Sequence, residues 1–265
     1  MPPILNLRFL SQTSFDSAAP SGTGVVVHRF EGDGEFQLRI HRGDEVLRRV
    51  PVNVGRGPGG GKGEGEGGHD RHGPGGDPLA AQPPQADGPA GTVGAITLDM
   101  ATLLRPGTDG PTVDELPSRG YLSITSSQPL PEHHVVVSAG EDGADVLDTR
   151  RLGSNSLFAV TLARPGRYRL VNGITGSQAD VVVTYPTVGS TPYRPPAPLE
   201  IRCTAEGFGA SRFTISPAQG IVFRLATESR IQLELVEPDD GPGKGRPRPK
   251  ASYRAPQPPP AQRAE

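Results

Sequence analysis

Two histidines separated by two residues form the one cluster in this sequence whose residue types suit a metal ion. Imidazole and carboxylate groups bind zinc, nickel and copper, so His69 and His72 are a candidate divalent-metal site. The surrounding chain is rich in glycine, and ordering such a chain around an ion costs affinity. A polar linker is therefore the first interpretation of this segment, and a metal site is the alternative. The neighbouring carboxylates are Glu64, Glu66, Asp70 and Asp77.

Other reactive side chains of the sequence point to structural roles. His133 and His134 are adjacent, so on a strand they face opposite sides and at most one can enter a given site. Cys203 alternates with Leu199 and Ile201, which indicates a buried thiol, whereas a nucleophilic cysteine needs a nearby base and a partly exposed setting. Because Cys203 is the only cysteine, we expect no intrachain disulfide and no cysteine-based zinc site.

Three short motifs that resemble known sites have simpler explanations. The glycine-rich run before Lys62 has Arg56 where a phosphate loop has glycine, and Gly63 where it has serine or threonine. The tripeptide at 42–44 supplies a hairpin turn, for which Gly-Asp is ordinary chemistry. The acidic turn at 141–148 lacks the spacing of an EF-hand loop, so calcium binding is only the alternative to a solvated turn.

Glycine and proline, at 36 and 30 of 265 residues, reach the level of low-complexity chains, but they are concentrated in two segments. Residues 55–92 contain 14 glycines, 6 prolines and one large aliphatic residue, Leu79. From Pro238 onward, eight prolines appear without any valine, isoleucine, leucine or phenylalanine. Neither segment can bury enough apolar surface to offset the entropy cost of ordering, so we expect both to be disordered.

The charge of the chain argues against a global attraction to nucleic acid, since the formal net charge is −2. The C-terminal tail is a local exception, because it carries five basic residues in a stretch without acids. A solvated tail is the first interpretation, and contact with an anionic partner is the alternative. The basic residues of the tail are Lys244, Arg246, Arg248, Lys250 and Arg254.

The first residues of the sequence lack the pattern of a secretory signal, because no basic segment precedes a long apolar run. No stretch of 18 apolar residues exists either, so no membrane span is expected. By default, these observations predict a cytoplasmic protein.

Strand periodicity recurs along most of the remaining sequence. Phe36, Leu38 and Ile40 alternate with polar residues, which is typical of a half-buried strand. Residues 42–45 supply the turn to a second strand, in which Pro51 indicates an edge position. Four valines of this second strand are predicted to share one face: Val46, Val50, Val52 and Val54. Further strand candidates lie at 4–10, 25–30 and 93–99.

Two later blocks continue the β pattern. Six strand candidates lie between 119 and 186, with turn residues at the intervals typical of a sandwich or barrel. Residues 199–237 hold four more, too few for a well-buried domain, so we expect this block to pack on the second block or to complete a sheet with the first. Thr112 and Glu115 match a capping box, which predicts a short helix over 112–117.

The predicted fold class is all-β, with β-sandwich units, a long disordered Gly/Pro-rich insertion and a disordered Pro-rich tail. The absence of tryptophan and an aromatic content of 5% imply a modest core of valine, leucine and isoleucine. The expected division of the chain is an N-terminal β block (1–54), a disordered linker (55–92), a central β-sandwich (93–186), a Pro-rich connector (187–198), a C-terminal β block packed on the sandwich (199–237) and a disordered basic tail (238–265).

Two stretches resemble immunoglobulin-like and cupredoxin-like β-sandwiches. Residues 164–186, RPGRYRLVNGITGSQADVVVTYP, are similar to the late hairpin of such domains, where a Pro-Gly turn leads into a tyrosine-bearing strand and a closing valine-rich strand. Residues 213–238 are similar to the cupredoxin segment in which a turn with glycine precedes an alternating strand. The resemblance implies a sandwich fold. It implies no copper site, because copper-binding cupredoxins need two histidines and a cysteine, and residues 167–177 contain neither type.

The sequence favours a non-enzymatic β-sandwich protein that acts as a binding or structural-assembly module with a protein partner and without a cofactor. Its β patterning, the absence of catalytic motifs and two segments suited to act as tethers support this hypothesis. One alternative is a metal-handling cupredoxin-like protein that binds a divalent metal through histidines. Another is an enzyme whose site is assembled from scattered residues. The histidines of the metal-handling alternative are His69 and His72 with His28, His41, His133 or His134.

Overall fold

The computed structural model describes residues 12–55, 94–107, 113–141, 143–185 and 193–239. These residues form sixteen strands and one four-residue helix, which confirms the predicted all-β, sandwich-like fold. No helix in the described ranges has the length and apolar character needed to cross a membrane. In chain order the elements are β1 (Ser14–Asp16), β2 (Gly24–Arg29), β3 (Gly34–Arg42), β4 (Glu45–Gly55), β5 (Ala95–Asp99), α1 (Met100–Leu103), β6 (Val113–Pro117), β7 (Tyr121–Thr125), β8 (His133–Ala139), β9 (Asp145–Asp148), β10 (Ser156–Thr161), β11 (Gly166–Asn172), β12 (Gln178–Val183), β13 (Leu199–Cys203), β14 (Arg212–Ile215), β15 (Gly220–Leu225) and β16 (Ile231–Pro238).

Several sequence predictions concern residues outside the described ranges. These are the candidate metal ligands His69 and His72, the strand candidate at 4–10, and all but the margins of the segments predicted as a disordered linker and tail. They stay predictions. Strands lie within each of the candidate ranges 25–30, 93–99, 119–186 and 199–237, as predicted.

Sheet A joins strands from both ends of the described chain, in the order β1–β16–β11–β12–β14. β1 pairs antiparallel with β16, so that Phe15 lies opposite Leu233, and both side chains are buried. The strands run antiparallel except for β14, which is parallel to β12. The last strand therefore completes its sheet with a short strand from near the start of the chain.

Sheet B is the largest sheet, in the order β13–β15–β10–β2–β7–β5. At its centre β2 and β10 pair antiparallel, which links the segment at 24–29 to the segment at 156–161. β7 is antiparallel to β2, and β15 is antiparallel to β10. β5 and β13 close the two edges as parallel strands.

Sheet C contains the predicted hairpin, in the order β6–β4–β3–β8–β9. Residues 42–45 form the turn between β3 and β4, as predicted. Gly43 adopts a φ of 56° in this turn, a conformation that costs glycine little because it has no Cβ. Leu38 and Ile40 of β3 face inward opposite Val137 and Val135 of β8.

The helix predicted over 112–117 is wrong. Val113–Pro117 forms β6, which runs parallel to β4 and places Leu116 opposite Val54. Leu116 is fully buried there. Pairing across the sheet and burial of this leucine outweigh the local capping pattern, because propensity is a weak determinant when tertiary contacts compete with it.

The edge position predicted from Pro51 also needs correction. β6 pairs with β4 from Val52 onward, so that the second half of β4 is an interior strand. Pro51 stands immediately before this point, opposite Gln37 of β3. The proline therefore lies at the end of the open edge of β4. Proline has no N–H to donate, so it is tolerated where no second strand needs a hydrogen bond from that residue.

The four valines of β4 do not share one face. The pairing of β3 with β4 shifts register between Ile40 and His41, and this places Val46 opposite His41 on the outward face. Val46 is only half-buried. The other three valines face inward and are buried: Val50, Val52 and Val54.

Side chains from all three sheets form one hydrophobic core. Within sheet B, the rings of Phe158 and Phe223 stack with their centroids 6.0 Å apart. The ring centroids of Phe30, which directly follows β2, and Phe36 of β3 lie 4.7 Å apart. The core thus contains aromatic contacts at the centre and at the margin of sheet B, although aromatic residues are few in the sequence.

A buried polar pair lies where β2 meets β10. His28 and Ser156 are directly opposite each other, and Nδ1 of the histidine lies 2.9 Å from Oγ of the serine. The imidazole also makes an edge-on contact with the ring of Phe30, at 5.2 Å and 87°. Burial lowers the pKa of His28 to about 4, so the ring is neutral at neutral pH. A slip of one residue would turn His28 to the outward face and break this pair.

The buried His28 predicts that stability depends on pH. Its pKa of about 4 in the folded chain lies below the ordinary value of 6.5, so the unfolded chain takes up the proton first as the pH falls. The part of the free energy of unfolding that depends on a neutral His28 is therefore fully present above about pH 6.5. It is lost as the pH falls toward 4, by up to roughly 3 kcal/mol. Urea unfolding at about pH 7 and about pH 4.5 should show most of this loss, and His28→Gln should reduce it.

Ser156→Ala is the matched control for this measurement. It removes the hydrogen bond to His28 but leaves the imidazole buried. It should lower the free energy of unfolding at neutral pH and keep the loss at acid pH. If His28→Gln kept the full loss at acid pH, the titration would belong to another group.

Candidate functional site

The outward face of sheet B carries apolar side chains where a solvent-facing sheet normally carries polar ones. Residues directly opposite each other on neighbouring strands share a face and form rows across it. One such row crosses β13, β15, β10, β2 and β7 through Arg202, Arg224, Leu157, Val27 and Ser123. This row has two arginines at one end and aliphatic residues at its centre.

The central strands β2 and β10 are apolar on both faces. Val25 and Val27 alternate with buried residues of β2, as Leu157 and Ala159 do in β10, yet these four side chains are half-exposed. Strands with apolar residues on both faces are typical of sheets covered on both sides. We call the outward surface formed by Val25, Val27, Leu157, Arg29, Arg202 and Arg224 the arginine face.

Three arginines border the apolar centre of the arginine face. Arg202 and Arg224 lie directly opposite each other on the parallel strands β13 and β15. Arg29 ends β2 and lies opposite Tyr121 of β7. Glu200 accepts two hydrogen bonds from Arg224, at 2.7 Å from Nε and 3.1 Å from Nη2. Arg29 and Arg202 form no ion pair with any residue in the described ranges.

A cavity of about 520 Å³ lies over the arginine face, and all three arginines contribute to its lining. Val27 and Leu157 form an apolar part of its wall. Like charges directly opposite each other on neighbouring strands are destabilising, and Glu200 binds Arg224 but not Arg202. The arrangement can therefore bind a negatively charged group and apolar surface at the same time.

The outward face of sheet A provides a comparison within the same molecule, because its arginines are paired with acids. Arg167 lies 3.5 Å from Asp180 and 3.3 Å from Glu237. Arg169 forms an ion pair with Glu234 of the neighbouring strand. Such exposed pairs contribute little stability, but they neutralise the face. The arginine face of sheet B lacks this neutralisation at Arg29 and Arg202 among the described residues.

Sheet C brings together two of the predicted histidines. His41 and His134 lie opposite each other on β3 and β8, and their rings stack with centroids 4.8 Å apart and an angle of 17°. Burial lowers the pKa of His134 to about 4, and Arg150 and His41 add to this shift. Burial, with Arg39 and Arg150, also lowers the pKa of His41. Both rings are therefore neutral at neutral pH and stack without charge repulsion.

The other predicted site residues lie apart from this histidine pair. His28 is buried on the inward face of sheet B, and Nδ1 of His133 lies 2.8 Å from the carbonyl oxygen of Pro131. Cys203 is buried, as predicted, and burial raises the pKa of its thiol to about 12. Within the part of the chain that the structure describes, no group of three or more histidine, cysteine, aspartate or glutamate residues is arranged to hold a metal ion.

The acidic turn at 141–148 places two of its carboxylates beside arginines. Asp145 lies 2.9 Å from Nη2 of Arg39. Asp148 accepts hydrogen bonds from the guanidinium of Arg150, one of them at 2.8 Å from Nη2. A positive charge beside each carboxylate disfavours a bound calcium ion at these two residues.

No known protein provides a comparison for the arginine face. Comparisons with protein-family models, curated proteins and solved structures find no match. Sequence reasoning missed this face because its arginines occupy single outward positions in three separate strands, and no local motif marks them. One signal was available in the apolar runs of β2 and β10, which indicate strands with two covered faces.

If the arginines of the arginine face serve to bind a partner, Arg202 should contribute nothing to the stability of the fold. Arg202→Ser removes repulsion with Arg224, so the free energy of urea unfolding should stay unchanged or rise by roughly 0.5 kcal/mol. Arg230→Ser is the matched control, because Arg230 binds Asp16 at 2.7 Å and 3.1 Å. The Arg230→Ser variant should have a free energy of unfolding lower by roughly 1 kcal/mol. A loss above roughly 1 kcal/mol in Arg202→Ser would show that this arginine has a structural role.

Proposed function

We propose that the protein is a non-enzymatic binding module and that the arginine face is its binding surface. The observation that carries the proposal is the pair Arg202 and Arg224, held side by side next to an apolar centre. Such an arrangement costs stability in the free chain and becomes favourable when an anionic partner covers it. Arginine beside apolar side chains is also typical of the centres of protein interfaces.

A protein partner accounts for both components of the arginine face. Half-exposed Val27 and Leu157 would leave water when a partner packs against them, at a gain of roughly 25 cal/mol for each Å² of apolar surface. The planar guanidinium of arginine binds a carboxylate through two parallel hydrogen bonds. A ligand that is only apolar or only charged would use half of this surface.

We also propose that the unit containing β11 is immunoglobulin-like. Tyr168, near the start of β11, donates a hydrogen bond from its hydroxyl to the carbonyl oxygen of Arg164, at 3.0 Å. Its ring is buried, and burial raises the pKa of the hydroxyl to about 12. This geometry resembles the tyrosine corner of immunoglobulin-like sandwiches. The fold class supports a binding role only by analogy, and the arginine face carries the functional proposal.

The two alternative functions have less support. Metal handling through His69 and His72 stays a prediction from the sequence, because both residues lie outside the described ranges. His41 and His134 are stacked on each other beside arginines, which disfavours a cation. An enzymatic role has no specific observation in its favour within the described residues, where the thiol of Cys203 is buried.

A photo-crosslinking amino acid at Ser123 tests the proposed function. This position lies in the same row of sheet B as Val27 and Leu157, so a bound partner would cover it. Irradiation in an extract of the cells that make the protein should give one discrete adduct, measured as a gel shift and identified by mass spectrometry. The adduct should be lost when Arg29 and Arg224 are both replaced by glutamine.

The matched control carries the same amino acid at Gln178, on the charge-paired outward face of sheet A. This variant should give little or no adduct. Equal labelling at Ser123 and Gln178, or no adduct at Ser123, would contradict the proposal that the arginine face is the binding surface.

A further inference from the structure

The positions of the arginines set the spacing that acidic groups of a partner must match. Arg224 lies two strands away from Val27 in the same row, and Arg29 lies two residues beyond Val27 along β2. With strands about 4.8 Å apart and a rise of about 3.4 Å per residue, the Cα atoms of Arg29 and Arg224 are about 12 Å apart. The corresponding separation between Arg29 and Arg202, which lies one strand further, is about 16 Å.

An extended polypeptide has a spacing that falls between these two separations. Its residues i and i+4 lie about 13 Å apart on one side, with residue i+2 between them on the same side. Two carboxylates at i and i+4 can therefore reach Arg29 at one end and Arg202 with Arg224 at the other. The side chain at i+2 then meets the apolar centre at Val27 and Leu157.

A carboxylate is the anion that the structure itself places on this face. Glu200 binds Arg224 with two hydrogen bonds, in the geometry that a partner's acidic side chain would adopt on Arg202. Single-stranded nucleic acid fits less well, because its binding sites stack bases on aromatic side chains. Tyr121 is the one aromatic residue in the described lining of the cavity.

We infer that the arginine face binds an extended acidic segment of a partner protein, with the pattern acidic-x-apolar-x-acidic. The inference rests on the proposed binding function and specifies the chemistry of the partner. Arg29 binds one carboxylate and Arg202 binds the other. Arg224 already holds Glu200 and lies beside Arg202 at the same end of the cavity.

Selection of random peptides displayed on phage, with the full chain as the target, tests this inference. The selected peptides should be enriched in acidic residues four positions apart, with leucine, isoleucine or valine midway. A synthetic peptide of the selected sequence should bind less tightly as the salt concentration rises, because salt screens exposed charges. Arg29→Gln and Arg202→Gln should each weaken its binding about tenfold.

Arg167→Gln, on the charge-paired face of sheet A, is the matched control and should leave peptide binding unchanged. Urea unfolding of each variant would show that the fold is retained. Absence of enrichment, enrichment of basic or purely apolar peptides, or peptide binding to the Arg29→Gln and Arg202→Gln variants that is as tight as binding to the unchanged chain would overturn the inference.

A fluorescent oligothymidylate of about ten nucleotides serves as a second probe. If the oligonucleotide binds through Arg29 and Arg202 and the peptides do not, the acidic-segment inference fails while the proposed binding function stands. If crosslinking at Ser123 also fails in cell extract, the proposed function itself is wrong. Selective binding of the acidic peptides over the oligonucleotide supports the inference.

Discussion

The pairing of β2 with β10 is the constraint on which the rest of the structure depends. Without it, sheet B would divide into two three-stranded sheets, β13–β15–β10 and β2–β7–β5. The inward side chains Val26 and Phe158 meet across this pair and are fully buried. The buried contact of His28 with Ser156 favours one register, because a slip of one residue would turn every inward side chain of β2 outward.

The same pairing creates the arginine face. Val27 and Leu157 are neighbours only because β2 and β10 are adjacent, and the strands bring Arg29 and Arg224 with them to opposite sides of this centre. The face has half-exposed aliphatic groups, which are typical of interaction sites, and adjacent like charges, which cost stability in the free chain. Sheet A shows that this chain can pair outward arginines with acids, as it does at Arg167. The contrast between the two faces is the reason to assign binding to sheet B.

Strand positions could be predicted from the sequence because alternation records locally which face of a strand is buried, and the burial of Cys203 follows from the same signal. The capping box at 112–117 gave a wrong prediction of a helix because it reports only local preference. The segment forms β6 through its contact with the distant strand β4. Strand order depends on pairing between segments far apart in sequence, and no local pattern reports it. The apolar strands of the arginine face could be recognised from their sequences. The pairing of Arg202 with Arg224 could not, because it depends on strand order. The metal site predicted at 69–72 remains a prediction.

Native-state hydrogen exchange, followed residue by residue, tests the central role of the β2–β10 pair most directly. The interior amides of both strands should exchange only through global unfolding, with the same free energy as urea unfolding, because separating the strands divides sheet B. The contradicting result would be exchange of β2 and β7 at a clearly lower free energy while β10 and β15 stay protected. In that case the two halves of sheet B would open independently, and their pairing would not be the constraint that holds the fold and its binding surface together.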